Sequence, residues 1–580
     1  MTRARARSIG AITIVAVISL VAAACGSSSK SKGGSNTNAA AATTTTLPPQ
    51  PGGTLTFGEF TEPVGLDSIV STGHLTTGFV EMSAVYDTIV RYNHDTGKYE
   101  NVTADNVTSN ADFTEWTVKI KPNIKFTDGT NYDATAVVLN LNRHRSGLPG
   151  APPCAQTYSC PRNTTSDTSY MSFVKDIQVM DPLTFKIILN QPWAGAQFML
   201  AAEPSLVASP TALAKCDPAA SIRTCDYNLH PVGAGPFMVT SFKPGEGITM
   251  VKNPNYYGGQ VYLDGLKFIN PGDGGGSKSY DYFKSGTVNA GVLRVATATA
   301  AARADKAPNI DYPAQSGTTL LLNQGIDVVC TGGKPAPTCT GKPDGPTPSN
   351  PPTKDINVRK AIAAAIDPVA VDQRVNNGQG LPGSEFFQKS FKWYPNVPGP
   401  KYDINAAKAA VAAAKASGWN GQVRLLFNNT PSGSATGLAI DAMLKAAGID
   451  SQLDITKSAA DSTIQYTQAR DFDIVGTGFA TSNDEGGYIA MLQNFYSTAA
   501  SNRIGFKDPT VDKALDAIRV ANGDSAKTAA FGQLATALDN TLPAVTYGAS
   551  EYMIVYSPKV HGLMDTARDS IMFTHTWIEH

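Results

Sequence analysis

A chain of 580 residues is too long for one hydrophobic core, because such cores stop growing at roughly 250 to 300 residues, so two or three lobes are expected. Hydrophobic residues make up 42% and charged residues 16% of the chain, which excludes general disorder. The formal net charge of -1 gives no electrostatic basis for binding nucleic acid or an anionic membrane surface.

The N-terminus carries export signals. Three arginines within the first seven residues precede an apolar run from Ile9 to Ala24, which suits a secretory signal better than a spanning helix. We predict that residues 1–24 are a signal peptide. The small residues before Cys25 resemble a bacterial lipobox, although Ala22 stands where leucine is commonest, and this resemblance implies that Cys25 is lipidated. The alternative is a plain signal with an incidental cysteine.

Residues 25–51 contain mostly Ser, Gly, Asn, Ala, Thr and Pro after the cysteine. Such a segment cannot bury enough apolar surface to fold, so we predict a flexible tether between membrane and domain.

The other six cysteines form three close pairs in the sequence: Cys154 with Cys160, Cys216 with Cys225, and Cys330 with Cys339. Sequence alone does not choose among the possible connectivities, but we favour local disulfides that clip surface loops of an exported chain. No pair has the spacing of a zinc or redox motif, and the histidines show no metal-ligand spacing. We therefore expect no metal and no cofactor.

The first half of the chain reads as strands, hairpins and capped helices. Alternating apolar residues predict a strand at 114–120, and Asp128-Gly129 after it is typical of a turn. Asp133 is a candidate helix cap. Two β-rich runs, Phe237 to Phe242 and Ile248 to Lys252, flank a short glycine-containing break and predict a hairpin.

The second half alternates strands and helices. Helices are predicted from Ile356 and from Tyr402, the second stopped by Gly418. The strands and helices between 423 and 477 predict a mostly parallel sheet covered on both faces. Ligands of such sheets bind beyond the carboxyl ends of the strands, where residues 479–494 lie.

Several of these stretches resemble the family 5 extracellular solute-binding proteins, which capture peptides, nickel chelates and some sugars for ABC importers. The resemblance is carried by Pro231–Gly259, by the motif around Trp116 to Arg143, and by the helix around Val358 and Arg359. It implies an α/β, two-lobed periplasmic-binding-protein type 2-like fold with an extra subdomain in the first lobe. We expect lobe I at 52–270 with the subdomain at about 95–215, lobe II at 271–540, and a return to lobe I at 541–580.

The chain departs from the family after its late strand. Peptide-binding members carry an Asp there that pairs with the amino terminus of the peptide, and this alignment puts Phe479 at the family's Trp and Ser482 at its Asp. Because a neutral hydroxyl is a weaker partner for an ammonium, either Asp484 or Glu485 takes over or the ligand lacks a free amine. The predicted ligand-binding residues are Phe479, Thr481, Ser482, Asp484, Glu485, Tyr488, Asn323, Glu59 and Glu62.

The resemblance implies a lipid-anchored solute-binding component on the extracytoplasmic face of the bacterial membrane. It would be a monomer that delivers peptides or a related small solute to an ABC permease and ATPase, bound to the membrane through its lipid alone. The alternatives are a surface receptor that uses the same cleft without import, and an exported hydrolase. No nucleophile or metalloprotease motif supports the hydrolase, so we expect no enzyme.

Overall fold

The computed structural model describes residues 48–71, 78–145, 171–217, 224–312, 318–331, 337–478 and 481–580. The predictions for the signal peptide, for Cys25 and for Phe479 lie outside the described residues. In the described part of the chain, no helix is long and apolar enough to cross a membrane.

The three predicted disulfides have different outcomes. The bonds between Cys216 and Cys225 and between Cys330 and Cys339 are present, which confirms these two pairs. Cys154 and Cys160 both lie outside the described residues, in the stretch 146–170, so a bond between Cys154 and Cys160 stays a prediction.

The strands, in chain order, are β1 (Thr54–Gly58), β2 (Val90–Asn93), β3 (Lys98–Asn101), β4 (Ala104–Ser109), β5 (Glu115–Ile120), β6 (Val174–Asp181), β7 (Thr184–Leu189), β8 (Phe237–Lys243), β9 (Gly247–Lys252), β10 (Gly265–Ile269), β11 (Ala290–Leu293), β12 (Asn309–Tyr312), β13 (Thr319–Leu322), β14 (Val328–Cys330), β15 (Gly345–Thr347), β16 (Gln422–Asn428), β17 (Asp450–Lys457), β18 (Ile474–Thr477), β19 (Ala544–Thr546), β20 (Tyr552–Tyr556), β21 (Val560–His561), β22 (Met564–Thr566), β23 (Ser570–Met572) and β24 (Trp577–Ile578). The α-helices are α1 (Phe79–Tyr86), α2 (Ala134–Arg145), α3 (Pro210–Leu213), α4 (Ser277–Lys284), α5 (Ala296–Ala304), α6 (Ile356–Ala365), α7 (Pro368–Asn376), α8 (Ile404–Ala416), α9 (Pro431–Ala446), α10 (Ala459–Ile464), α11 (Gly486–Phe495), α12 (Pro509–Val520) and α13 (Asp524–Thr541).

The first lobe is built on a seven-stranded sheet in the order β12-β20-β11-β1-β10-β9-β8. Its central strand β1 pairs in parallel with β10 and β11, and the outer strands pair antiparallel. Phe57, Phe268 and Phe573 pack edge to face beneath it and help to form its core.

The second lobe is built on a five-stranded sheet in the order β17-β16-β18-β13-β19. The sheet is mixed: β16 is parallel to β17 and β18, whereas β13 is antiparallel to β18 and β19. The three strands between 423 and 477 pair in parallel as predicted, and β13 and β19 add two antiparallel pairings to the same sheet. The two antiparallel pairings arise because β13 and β19 lie where the chain enters and leaves this sheet, outside the α/β alternation that motivated the prediction.

The chain passes between the two sheets twice, between β12 and β13 and between β19 and β20. The expected first passage, at 270 and 271 near the glycine-rich stretch, differs from this, because β11 and β12 still pair in the first sheet. The pairing of β11 and β12 with strands distant in sequence determines where the chain leaves the first sheet. The remaining lobe boundaries stay a prediction.

A four-stranded antiparallel sheet, β4-β5-β7-β6, lies within the stretch predicted as the extra subdomain. Its inward residues, such as Val118 and Phe185, belong to the same hydrophobic core as Tyr488 of α11, Leu515 of α12 and Phe531 of α13. The subdomain and the second lobe are therefore joined by one buried apolar core.

Other local predictions are confirmed as well. Strands β8 and β9 form the expected antiparallel hairpin. The Asp133 carboxylate accepts the Ala136 N–H at the start of α2. Like the two disulfides, these features depend on residues close in sequence.

Candidate functional site

The residues Thr481–Tyr488, here called the interlobe segment, connect β18 to α11. Five of its residues are predicted ligand-binding residues, and all five are buried. The hydrogen-bond partners of Asp484 and Glu485 include residues far away in sequence.

Ser482 and Asp484 are joined to each other and to the first lobe. The Ser482 hydroxyl donates to Asp484 Oδ1, which also accepts the Gly486 N–H at 2.7 Å. The other oxygen, Oδ2, accepts the main-chain N–H of Arg568 at 2.7 Å. The Asp484 carboxylate thus already has three hydrogen-bond donors, and a buried carboxylate with several donors is well satisfied.

Glu485 forms a buried ion pair with Lys527 of α13. The Lys527 Nζ lies 2.7 Å from Oε1 and 2.8 Å from Oε2, and Oε1 also accepts the indole N–H of Trp193 at 2.9 Å. Both side chains of the pair are under 7% exposed. Gly195 is required beside this pair, because a Cβ there would lie 2.2 Å from the Glu485 carboxyl carbon.

Thr481 and Tyr488 complete the buried part of the interlobe segment. The Tyr488 ring packs against Trp193, with ring centroids 6.4 Å apart. Its hydroxyl has no hydrogen-bond partner among the described residues, and burial raises the pKa of this phenol well above its usual value. Sequence alone does not distinguish Tyr488 from a core residue.

The other three predicted ligand residues have different surroundings. Asn323 donates to the Phe472 carbonyl and accepts two main-chain N–H groups, so it holds a loop in place. Glu62 accepts the Gly245 N–H at the tip of the β8–β9 hairpin. Burial, followed by the nearby Glu81 carboxyl, raises the pKa of Glu59 well above its usual range. In the described structure, none of their hydrogen bonds reaches the interlobe segment, and their role in binding stays a prediction.

A cavity of about 200 Å³ opens beside Glu485. One wall comes from β2, β3, the turn between them and residues 194 and 195, and the other from the second lobe. Its lining residues are Tyr92, Gly97, Tyr99, Ala194, Gly195, Lys392, Trp393, Glu485, Ala521, Asn522, Gly523, Asp524 and Lys527. The cavity therefore joins aromatic rings to two lysines and two carboxylates, a lining suited to a small polar solute with apolar parts.

Lys392 crosses this cavity from the second lobe to the first. Its ammonium group donates to the Tyr92 hydroxyl at 3.1 Å and lies 3.2 Å from the Asp524 carboxylate. It also lies 5.2 Å from the centre of the Trp393 ring, within reach of a cation–π contact. Sequence analysis missed Lys392, Lys527 and the tyrosines of β2 and β3. The aromatic-rich stretch 391–394, which contains Lys392, is the local signal that the sequence offers for the second-lobe wall.

A second contact with the interlobe segment comes from the tip of the β22–β23 hairpin, residues 567–569. Arg568 pairs with the buried carboxylate of Glu203 at 3.2 Å. The neighbouring Asp569 carboxylate accepts the Asn483 N–H at 3.4 Å. Burial raises the pKa of Asp569 to about 7, the nearby His94 opposes that rise, and Asp484 adds to it. No group of three or more potential metal ligands comes together among the described residues.

Two lobes joined by two passages, with a polar cavity between them, define the architecture of a solute-binding protein. The model for the middle region of the bacterial extracellular solute-binding proteins, family 5, matches residues 98–502. The chain belongs to this family, which confirms the resemblance drawn from its motifs. Members serve ABC importers and bind solutes outside the cytoplasm.

Individual relatives are more distant. The glutathione-binding protein GsiB of Shigella flexneri is 30% identical over 160 residues, which are 28% of this chain and 27% of GsiB. The chain thus aligns with about a quarter of the length of the curated relatives it matches.

Solved structures resemble the whole described fold. The oligopeptide-binding protein AppA from Bacillus subtilis, in complex with a nonapeptide, has a TM-score of 0.70 at 19% identity, covering 92% of this chain and 100% of that one. AgaA from A. tumefacien R10, in complex with agropinic acid, has a TM-score of 0.67 at 23% identity, covering 91% and 99%. These likenesses confirm the predicted two-lobed α/β fold.

Proposed function

We propose that this protein is the lipid-anchored solute-binding component of an ABC importer. It captures a peptide-like or related small solute between its lobes on the extracytoplasmic face of the membrane, and presents the closed form to a permease. The proposal is carried by one observation: the cavity at Glu485 is walled by both lobes, so closure encloses its contents. Family membership and the relatives that bind glutathione, oligopeptide and agropinic acid support it.

The solute is held without direct use of Asp484 or Glu485 as an ammonium partner. Asp484 already accepts three hydrogen bonds, and the charge of Glu485 is matched by Lys527. An incoming cation would have to displace buried partners, which costs the desolvation of each group left behind. The rings of Tyr92, Tyr99 and Trp393, together with the two tyrosine hydroxyls, are better placed to contact the solute.

Mass spectrometry of protein purified under native conditions would identify a co-purified solute. Calorimetry against a peptide library, reduced glutathione and neutral solutes would then measure its affinity. We expect Trp393→Ala to weaken binding at least 10-fold, and Asp484→Asn to change the affinity of the folded protein less than 3-fold. Binding of none of these solutes, or a large specific loss in Asp484→Asn, would contradict the proposal.

The lipid anchor has a separate test. Metabolic labelling with a radioactive fatty acid should mark the wild-type chain and leave Cys25→Ala unmarked. Equal labelling of both would show that Cys25 is not the acceptor. Co-purification with a permease and an ATPase from native membranes would support import, whereas assembly with a sensor kinase would contradict it.

A further inference from the structure

The tip of the β22–β23 hairpin presents a poorly satisfied carboxylate to the interlobe segment. Asp569 is 5% exposed, and its only hydrogen bond in the described structure is the 3.4 Å contact from the Asn483 N–H. That distance exceeds the usual 2.9 to 3.0 Å of an N–H···O bond. A buried carboxylate normally accepts several hydrogen bonds, so Asp569 has fewer donors than its burial calls for.

The other carboxylates near this point do not share that deficit. Asp484 accepts three hydrogen bonds and Glu485 is paired with Lys527. Glu203 is paired with Arg568, so this guanidinium is already engaged beside Asp569. Of these four acidic side chains, Asp569 has the weakest set of contacts among the described residues, with one long hydrogen bond and no ion pair.

The groups around Asp569 favour a positively charged group as a further hydrogen-bond donor to its carboxylate. His94 faces it from the turn between β2 and β3, Asp484 faces it from the interlobe segment, Arg568 precedes it, and the Tyr312 phenol lies near it on β12. The His94 ring nitrogen is already within 3.0 Å of the Thr566 carbonyl. A positively charged solute group would donate charge-assisted hydrogen bonds to the Asp569 carboxylate and would offset the repulsion between Asp569 and Asp484.

The position also fits a binding role. Asp569 belongs to a hairpin that packs in the first lobe against α1 and β2, whereas Asn483 belongs to the second lobe. Opening of the lobes would therefore separate Asp569 from Asn483, and a solute entering between them would meet this carboxylate.

We propose that Asp569 binds an ammonium group of the captured solute at the contact between the β22–β23 hairpin and the interlobe segment. This inference rests on the proposed solute-binding function and names the chemistry of one part of the solute. It assigns the cation-binding role to a residue 84 positions beyond Glu485, which neither the family motif nor the local sequence indicates.

The test uses a pool of tripeptides, each present with a free and with an acetylated amino terminus, and the mature wild-type chain. The tripeptide retained best is titrated by calorimetry in both forms. We expect Asp569→Asn to weaken binding of the free-amine form at least 30-fold and of the acetylated form less than 3-fold. The control Asp95→Asn removes an exposed nearby charge and should change both affinities less than 3-fold.

Asparagine keeps the shape of the side chain and tolerates the left-handed backbone at this position, where φ is 53°. A second measurement needs no variant. Because burial holds the pKa of Asp569 at about 7, an ammonium that binds it must drive out its proton. Titrations at pH 7 in phosphate and in Tris should therefore reveal proton release by the wild-type chain for the free-amine form and none for the acetylated form.

The outcomes separate the two proposals. Retention of the acetylated forms alone, equal losses for both forms in Asp569→Asn, or no proton release in wild type would overturn the role of Asp569 and leave the solute-binding function standing. Retention of no tripeptide at all would contradict a peptide-like solute and with it the inference.

Discussion

Two regions of this protein bury carboxylates, and they supply the partners of those carboxylates from different parts of the fold. In the first lobe, Asp67 pairs with Arg143 at 2.6 Å with both side chains fully buried, and Asp87 accepts the hydroxyls of Tyr256 and Tyr257. In the interlobe segment, Asp484 and Glu485 take their partners from α13, the β22–β23 hairpin and the subdomain. The contacts of the first region lie within one lobe, whereas contacts of the second region cross from one lobe to the other.

Residues of the first region that lie in family motifs contact one another inside the first lobe. Arg143 and the two tyrosines lie in stretches that match the family, and their contacts are internal to the first lobe. The interlobe segment, whose contacts cross from one lobe to the other, is where the chain departs from the family motif. Substitutions in the first region should therefore act on stability, and those in the second should act on stability and closure together.

Replacement of Arg143 should give the largest effect. Arg143→Met leaves Asp67 as an uncompensated buried charge, so we expect a loss of about 3 to 5 kcal/mol in the free energy of unfolding by urea titration. The double variant Asp67→Asn/Arg143→Met should recover much of that loss. A single-variant loss below about 1 kcal/mol would mean that this region is no more fixed than an exposed ion pair.

Replacement of Glu485 should be slightly less costly. Glu485→Gln leaves Lys527 buried without its counter-charge, and we expect a loss of about 3 kcal/mol, because Trp193 keeps a partner oxygen. Asp281→Asn, in an exposed pair with Lys284, serves as the control and should cost under about 0.5 kcal/mol. If both variants behaved alike, the Glu485–Lys527 pair would be hydrated in solution and the lobes largely open.

The pH dependence of stability should show the smallest effect. The pKa of Asp569 is about 7 in the folded chain and lower when unfolded, so its contribution is fully present below about pH 4 and lost as pH rises through 7. Asp569→Asn lacks this loss. Between pH 5 and pH 8 we expect the variant to gain about 2 kcal/mol relative to wild type, measured by urea unfolding.

The Asp95→Asn variant provides the baseline for that measurement and should follow the wild-type profile. A parallel profile for Asp569→Asn would show that Asp569 is ionised at pH 5 in the folded chain. It would then be as well satisfied as Asp484, and the contrast within the interlobe segment would disappear.

The sequence by itself determined the features that depend on near neighbours: the β8–β9 hairpin, the Asp133 cap, two local disulfides, and the family to which the chain belongs. Turn residues, helix caps and neighbouring cysteines interact over a few positions, so a short stretch of sequence is enough to predict the structure they form. The sequence also located the interlobe segment, through its departure from the family.

Only the tertiary structure decided what that segment contacts and where the chain changes sheets. Four residues far away in sequence contact the segment, and no local pattern marks them: Lys527, Trp193, Arg568 and Asp569 lie 42, 292, 84 and 86 positions from their partners. Strands β11 and β12 join the first sheet through pairing with β1 and β20. A buried charge and the edge of a strand both need hydrogen-bonding partners, and the packing of the whole chain determines which groups are close enough to serve.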